Sequence, residues 1–462
     1  MKEGAGKINQ LEEELVGVLG AEWVSRKDNS LVVRPRTVEE VAAILRKANQ
    51  EGVPVRPKGG GTGWWSSTAP PEGGVLLHLT RMNEVIAVDE DAMAVTAEAG
   101  ITFEKLDEVL ASREYRIVLF PESGRIATLG GHIQTWGTAP HSSTVFEDQA
   151  TQVLGLKVVL PTGEILPTGT GAVPSAGGHF ARRFFPADLT GLFLGSEGAF
   201  GVIVQAALKI HRRPEAILMR IVAFRQAPPL IHLLRRLQEA QRGGGLATLV
   251  EQRIVPKEMM VTAIPRLQAA LSQGSRHLLV LRAEGDRADA ERHMAKACTF
   301  AVEVGGEVVE DHIPEWWSGR FVVQAASLGK GQKIMIVAFA PFGRLQEALT
   351  LAEEFGKKHD LKLGLFGYPF GGSVLLAHWT IPWDASEPQT RERALARGRE
   401  FMGALIRIGC VPHRVGTDFL PVLVGNLDPG YYDFVKKIKK MLDPKGIMNP
   451  GVLIPAQSRG DS

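Results

Sequence analysis

Pro57-Lys58-Gly59-Gly60-Gly61-Thr62-Gly63 follows closely on the short strand pattern Val53-Pro54-Val55. Successive backbone N–H groups converge on one anion only where no side chain blocks the approach. Glycine removes the Cβ and opens positive φ, so a glycine cluster at a strand end is suited to cradle a phosphate. The Thr62 hydroxyl adds a donor; a plain turn between strands is the competing reading. The stretch is not a Walker loop, because Gly-x-x-x-x-Gly-Lys-Ser/Thr is absent here, and Gly329-Lys330-Gly331-Gln332-Lys333 does not supply it either. Nor is it a dinucleotide fingerprint, since Trp64-Trp65 stand where a last glycine should open a helix.

Two further glycine-rich loops lie downstream: Pro121-Glu122-Ser123-Gly124 running on to Thr128-Leu129-Gly130-Gly131, and Gly195-Ser196-Glu197-Gly198-Ala199-Phe200-Gly201 ahead of the strand pattern Val202-Ile203-Val204. One nest holds one phosphate. Three separated loops suit a longer ligand with a pyrophosphate, a ribityl chain and a planar ring.

Around these loops the pattern is that of a compact α+β unit. Thr37-Val38-Glu39-Glu40 is a capping box, Val38, Val41, Ile44, Leu45 and Ala48 form one helical stripe, and Gly52 is placed to end that helix. An amphipathic helix is expected over Ile8–Val24. Strands are expected at 75–77, 85–88, 92–96, 116–120, 153–160 and 202–210, with a helix over 102–110. The character changes near Arg212-Arg213-Pro214. Beyond it, strand-like runs at 217–224, 246–250, 277–283 and 334–340 alternate with helical runs at 229–242, 287–304 and 344–358, which suggests a ferredoxin-like second domain. A helix over about 386–407 and a turn-rich segment from Leu442 to Gly451 follow, and no tandem repeat is visible.

Composition removes several classes. The chain has 462 residues, 44% of them hydrophobic, with 53 Lys and Arg against 51 Asp and Glu for a net charge of +2. Disorder needs a poorer apolar content, and whole-surface attraction to nucleic acid needs a larger positive excess. Cys298 and Cys410 are the two cysteines, too few for a Cys-rich zinc or iron–sulfur site, and free buried thiols are the expected state. No apolar run reaches the roughly 18–20 residues of a membrane span, and the first residues lack a signal-peptide core. The expected location is cytoplasmic, with a peripheral position at the inner face of a membrane as the alternative.

The three loops in this order resemble the FAD-binding (PCMH-type) fold of the vanillyl-alcohol oxidase superfamily. Within it they resemble the branch of glycolate oxidase flavoprotein subunits, D-lactate dehydrogenases and alkyl-dihydroxyacetonephosphate synthases. Asp443-Pro444-Lys445-Gly446-Ile447-Met448-Asn449-Pro450-Gly451 is similar to that family's closing signature. The resemblance implies FAD as cofactor and a two-subdomain α+β FAD-binding domain over residues 1–213. It further implies a ferredoxin-like substrate cap over 214–412, and a segment over 413–462 that returns to the FAD domain. It implies pyrophosphate contacts from Pro57 and Lys58 through Gly63. Pro121, Glu122, Ser123, Gly124, Thr128, Gly130, Gly131 and Thr135 would lie near the flavin and ribityl chain, Glu197, Gly198, Gly201 and Ile203 near the adenine-side chain and ring edge, and Asn449 over the flavin side.

On the catalytic side the resemblance is partial. Oxidising an alcohol on a flavin requires a base for the hydroxyl proton and a cation to orient a substrate anion. Val411-Pro412-His413-Arg414-Val415-Gly416 is similar to the family's Glu-His-Gly-Ile-Gly, with Pro412 and Arg414 replacing its acidic and glycine positions. His413 is the candidate base, against the reading of a satisfied structural histidine. Trp316-Trp317-Ser318-Gly319-Arg320 resembles Trp-x-x-Arg, making Arg320 the candidate anion clamp. The family's Gly-His-x-Gly-Asp-Gly-Asn-x-His metal motif is here Gly367-Tyr368-Pro369-Phe370-Gly371-Gly372-Ser373-Val374-Leu375, without either histidine. No metal is expected, and a simple 2-hydroxy acid assignment is in doubt. Tyr368 with Gly371 resembles the Tyr-x-x-Gly of the alkyl-dihydroxyacetonephosphate synthases and makes Tyr368 a candidate donor or else a packed aromatic. His378 is either core or cap lining, and His132 and His141 are candidates to face the flavin.

The expectation is therefore an FAD-dependent dehydrogenase that moves hydride from a hydroxylated carbon of a small anionic substrate, glycolate- or D-lactate-like, to flavin N5. Its alternatives are a flavin transferase like alkyl-dihydroxyacetonephosphate synthase and a flavin electron-transfer subunit without its own substrate chemistry. Lacking an iron–sulfur motif, the chain would pass electrons to oxygen, a quinone or an iron–sulfur partner subunit.

Overall fold

The computed structural model describes residues 2–63, 69–119, 121–137, 149–263, 265, 267–309 and 332–455. The first layer is a mixed sheet of Val24–Lys27, Ser30–Val33, Val75–His78 and Val55–Lys58 in that spatial order, the first pair antiparallel and the other two parallel. Helices Lys2–Leu19 and Val38–Glu51 bury Leu11, Leu15, Val41, Ile44 and Leu45 on it. The capping box is present: the Thr37 hydroxyl accepts from the Glu40 N–H at 3.1 Å, and Gly52 closes the helix at φ 67°. The first helix stops at Leu19, short of the expected Val24, because Gly20 at φ 90° turns the chain into a single 3-10 turn and then into the strand Val24–Lys27.

The second layer is an antiparallel sheet ordered Val85–Asp89, Ala94–Glu98, Val202–Lys209, Val153–Val159, Ile165–Pro167. The strand expected over 116–120 is reduced to Tyr115–Arg116, paired with His211–Arg212; Ile117, Val118 and Leu119 are buried in irregular chain that leads to the Pro121 turn.

The third layer is the cap. Its sheet runs Glu307–Val309, Ala216–Phe224, His277–Gly285, Leu249–Pro256, Phe366–Phe370, Val374–Trp383, Gln332–Pro341, Val411–Pro412. Numbered along the chain within each half, the first four strands stand in the order 4-1-3-2 and the last four in the order 2-3-1-4. Each half is a βαββαβ unit with helices Ala227–Arg242 and Arg287–Glu303, or Leu345–His359 and Pro388–Arg407. The cap is thus two ferredoxin-like units, joined at their second strands by the single bridge Ile254↔Gly367. The repeat is structural only, which is why no sequence period reveals it. The strand expected over 246–250 lies instead at Leu249–Pro256, because Glu251, Gln252 and Arg253, which read as its polar end, are buried inside the sheet.

One face of the cap sheet packs on the four helices through Ile254, Leu279, Leu281, Ile336, Ala338, Ala377 and Trp379. By the two-residue alternation of a strand, the opposite face presents Glu251, Arg253, Arg282, Glu284, Phe366, Tyr368, Leu376, His378 and Met335 toward the FAD-type layers.

The tail returns beneath this face. Met448 bridges to Val55 in parallel, and the Asn449 N–H donates to the Val55 carbonyl at 2.8 Å. Lys439 drives the turn: its buried ammonium donates to the carbonyls of Ala199 at 2.8 Å and Met448 at 2.9 Å and to Asp443. Asp443 in turn accepts from the N–H groups of Ile447 and Met448. Lys439→Met leaves the buried carboxylate without its cation and is expected to cost on the order of 3 kcal/mol, read as a lowered thermal midpoint.

Candidate active site

Described residues of all three layers line a cleft of about 2040 Å³. Strand Val55–Lys58 delivers the loop 59–63 into it at the strand's C-terminal end. Two glycines there permit contacts that no other residue allows. A Cβ on Gly59 would lie 2.0 Å from the Thr128 hydroxyl, and one on Gly60 would lie 1.8 Å from the Ile126 carbonyl. The first and second glycine-rich loops therefore touch backbone to backbone and form one floor. Thr128 precedes the short helix Leu129–Gln134, and its buried hydroxyl oxygen has no hydrogen-bond partner in the structure.

Four residues at this end of the molecule hold a left-handed backbone without being glycine: Trp136 at φ 49°, Glu197 at 49°, Arg414 at 55° and Asn449 at 43°. Such a conformation costs on the order of 1 kcal/mol or more each, and its concentration here marks a site held by surrounding structure. Asn449 ties itself to one of these, donating from its amide to the Glu197 carbonyl, and it accepts from Arg56 at 2.9 Å. The Glu197 N–H donates to the Gln134 carbonyl at 2.7 Å, and the Gln134 amide donates to the Gly201 carbonyl at 2.7 Å.

Pro57 through Gly63, Pro121, Glu122, Ser123, Thr128, Gly130, Gly131, Thr135, Glu197 and Asn449 all line the cleft. Gly124 instead serves the turn, accepting from the Glu104 N–H at 3.1 Å. Gly198, at φ 75°, packs against Pro57, and Gly201 and Ile203 lie behind the lining at the start of a buried strand. Arg320 falls outside the described residues, as do Trp64, Trp65 and His141.

From the cap, His378, Phe366, Met335, Thr380 and Lys333 face the cleft, joined by Arg414. His378 sits in the middle of the strand Val374–Trp383 and lines the cap side of the cleft, opposite Phe366, with ring centroids 5.3 Å apart. His413 is buried against Phe339 with ring centroids 4.7 Å apart, its backbone N–H donates to Val337, and its Nε2 has no partner in the structure. Tyr368 is 1% exposed among Phe366, Leu376 and Val337 and stands off the lining.

Sequence reasoning missed Arg414 as a site residue and Gln134 as a brace; neither carries a composition signal. It also missed a line of buried charge between cap and floor. Arg253 pairs with Glu251 beside it and with Glu122 of the floor, while Arg116 of the floor pairs with Glu284, which also takes Arg282. Glu251 and Arg282 are cross-strand neighbours, so the two groups are continuous.

Burial, with the charge of Arg414, holds the His132 and His378 imidazoles down to about 3, and the same causes hold His413 well below 6.5. Unfolding returns each to its ordinary value, so below pH 6.5 the unfolded chain binds more protons. His132 and His378 then each lower stability progressively as pH falls from about 6.5 toward 3. Glu197 runs the other way. Burial raises its carboxyl to about 7 against the opposing charge of Arg414, so the stability it contributes is full below 4.5 and is lost as pH rises through about 7. The cofactor-free chain should therefore lose thermal stability on both sides of a maximum between these limits, and Glu197→Gln should remove the alkaline limb alone.

The donor set fits a flavin nucleotide: a floor on which no Cβ can be placed at Gly59 or Gly60, buried oxygens of Thr128 and Glu197 without partners, and a cleft that leads to the His378 imidazole and the Arg414 guanidinium, with His413 behind the lining. Among the described residues no group of three or more His, Cys, Asp or Glu side chains is placed to hold a metal. No helix among them is long and apolar enough to cross a membrane.

Comparison with known proteins agrees. Residues 30–169 match the family described as FAD binding domain, and residues 246–453 match the C-terminal domain of FAD linked oxidases. The chain is 26% identical over 446 residues to glycolate oxidase subunit GlcD of Bacillus subtilis, covering 93% of this chain and 89% of that protein. It is 28% identical over 437 residues to the mitochondrial D-lactate dehydrogenase [cytochrome] of Arabidopsis thaliana, covering 92% and 73%. Among solved structures, p-cresol methylhydroxylase superposes with a TM-score of 0.85 at 18% identity, covering 98% of this chain and 97% of that one. An alkyldihydroxyacetonephosphate synthase superposes with a TM-score of 0.73 at 16% identity, covering 96% and 84%.

Proposed function

The chain belongs to the FAD-linked oxidoreductases and uses FAD, and from that premise we propose that it dehydrogenates C2 of a small 2-hydroxy acid to the 2-keto acid. The observation that carries this reading is the cleft in which the glycine floor and the imidazole-bearing cap face meet. FAD, when bound, supplies the two-electron acceptor for the C2 hydrogen. The floor from Pro57 to Gly63 with Pro121–Gly124, Thr128, Gly130, Gly131 and Thr135 is the part of the chain that would hold it. Glu197 with its neighbours Gly198, Gly201 and Ile203, and Asn449, would shape the far wall.

The substrate proton is handled just beyond the strand Val411–Pro412. In this reading His413 takes the hydroxyl proton at Nε2. That atom is buried and without a partner, and a hydrogen bond of the ring to the Trp136 backbone orients it. An imidazole kept neutral is ready to accept, and an incoming carboxylate offsets the Arg414 charge that depresses its basicity. Tyr368 supports from the second row, and Arg320 remains a candidate anion clamp. The domain limits 1–213, 214–412 and 413–462 are part of the same reading. With Cys298 and Cys410 its two cysteines, the chain would hand electrons to an outside acceptor, an iron–sulfur subunit among the candidates.

The test is anaerobic mixing of the yellow holoprotein with glycolate, D-lactate and longer 2-hydroxy acids. Loss of visible absorption with one equivalent of 2-keto acid is expected. Unchanged absorption with every hydroxy acid contradicts the reading and leaves a flavin transferase or an electron-transfer subunit.

A further inference from the structure

Arg414 holds a left-handed backbone at φ 55° on the wall of the cleft, a conformation that costs a side-chain-bearing residue energy that glycine would not incur. It leaves the strand edge one residue after His413, whose N–H is fixed on Val337. On the neighbouring strand His378 is the cross-strand partner of Val337, so the guanidinium and the His378 imidazole share one corner of the cleft. His132, His378, His413, Glu197 and Tyr368 all lie within reach of its charge.

Two apolar side chains, Phe366 and Met335, adjoin this corner, with Thr380 beside them and Lys333 farther along the same face. Phe366 lies against His378, and the next pair along the same face, Met335 opposite Thr380, also lines the cleft. Glycolate and lactate bring too little side chain to bury against Phe366 and Met335.

Resting on the 2-hydroxy acid reading, we infer that Arg414 binds the substrate carboxylate and that Phe366, Met335 and Thr380 receive its side chain. The substrate class is then a 2-hydroxy acid with a bulky apolar or aromatic substituent. Arginine suits the first task because its planar fork pairs both carboxylate oxygens. The second follows from apolar burial, worth about 0.8 kcal/mol per methylene, so four further carbons separate substrates by more than a hundredfold.

Arg414→Gly separates a functional guanidinium from a structural one, since glycine suits the observed φ. The variant holoprotein should keep its FAD and its thermal midpoint. Phenylacetate, which carries the carboxylate and ring without a hydroxyl, is titrated by its perturbation of the visible band. Its dissociation constant should rise at least 30-fold in Arg414→Gly and recover in part in Arg414→Lys, while that of neutral 2-phenylethanol stays within threefold. In the parent protein, kcat/KM for 3-phenyllactate or 2-hydroxyisocaproate should exceed that for lactate and glycolate at least tenfold. Equal phenylacetate affinity in Arg414→Gly, loss of FAD from that variant, or preference for glycolate or lactate overturns the inference while leaving the proposed reaction standing. Arg414-dependent phenylacetate binding with no oxidation of any 2-hydroxy acid supports the clamp and rejects the reaction.

Discussion

Gly60→Ala yields a folded but colourless protein. The added Cβ would stand 1.8 Å from the Ile126 carbonyl oxygen, a backbone atom that cannot swing aside as a side chain would. Relief requires the loop 59–63 to lift from the segment Ile126–Thr128, which separates the two halves of the floor. The apolar cores do not depend on that contact, since neither Gly60 nor Ile126 belongs to one. The expected outcome is near-parental far-ultraviolet circular dichroism with FAD affinity lowered at least a hundredfold, measured by adding FAD to stripped protein. Gly131→Ala is the matched comparison. Its nearest contact would be the Thr128 hydroxyl at 3.1 Å, a side-chain atom that can adjust, so affinity falls far less.

The largest effect on stability is expected at Arg253. Its side chain is fully buried and pairs with Glu251, also fully buried, and with Glu122, which reaches up from the floor. Removing Arg253 takes from the fully buried Glu251 carboxylate the cation beside it, where water does not reach. Arg253→Met should therefore cost about 3–5 kcal/mol. A thermal midpoint lowered by roughly 10 °C would match this for a domain of the cap's size. Because Glu122 lines the cleft, the loss should also weaken FAD retention. Glu122→Gln combined with Arg253→Met should recover part of the stability, since the second change removes one stranded charge.

These residues also show what the sequence could and could not disclose. The FAD layers were legible because local chemistry and global fold agree there. The Thr37–Glu40 capping box, the stripe from Val38 to Ala48 and the glycine loops each signal at short range. The cap was legible in class but not in extent. Its strand Leu249–Pro256 carries buried Glu251 and Arg253, whose partners Glu122 and Arg282 lie far away in sequence, so a local reading ends the strand where the charges begin. The strands Phe366–Phe370 and Val374–Trp383 were legible as strand character around Tyr368 and before His378, but Pro369 and the glycine turn between them hid their extent, and the helices Gly416–Val424 and Pro429–Leu442 were not anticipated. Of the candidate site, the floor residues were readable because glycine spacing is itself the mechanism. Arg414 was not, since its place in the cleft follows from a positive φ at a strand edge, which only the backbone reveals.

In the proposed reaction a substrate C2–H bond breaks inside this cleft. The most direct measurement is anaerobic single-turnover reduction of the holoprotein by 3-phenyllactate bearing hydrogen or deuterium at C2, followed by the loss of visible absorption. A rate several-fold slower with deuterium, and slowed by a further hundredfold or more in His413→Asn, is the predicted result. Bleaching that is indifferent to deuterium and to His413, or no bleaching with any 2-hydroxy acid, would contradict it.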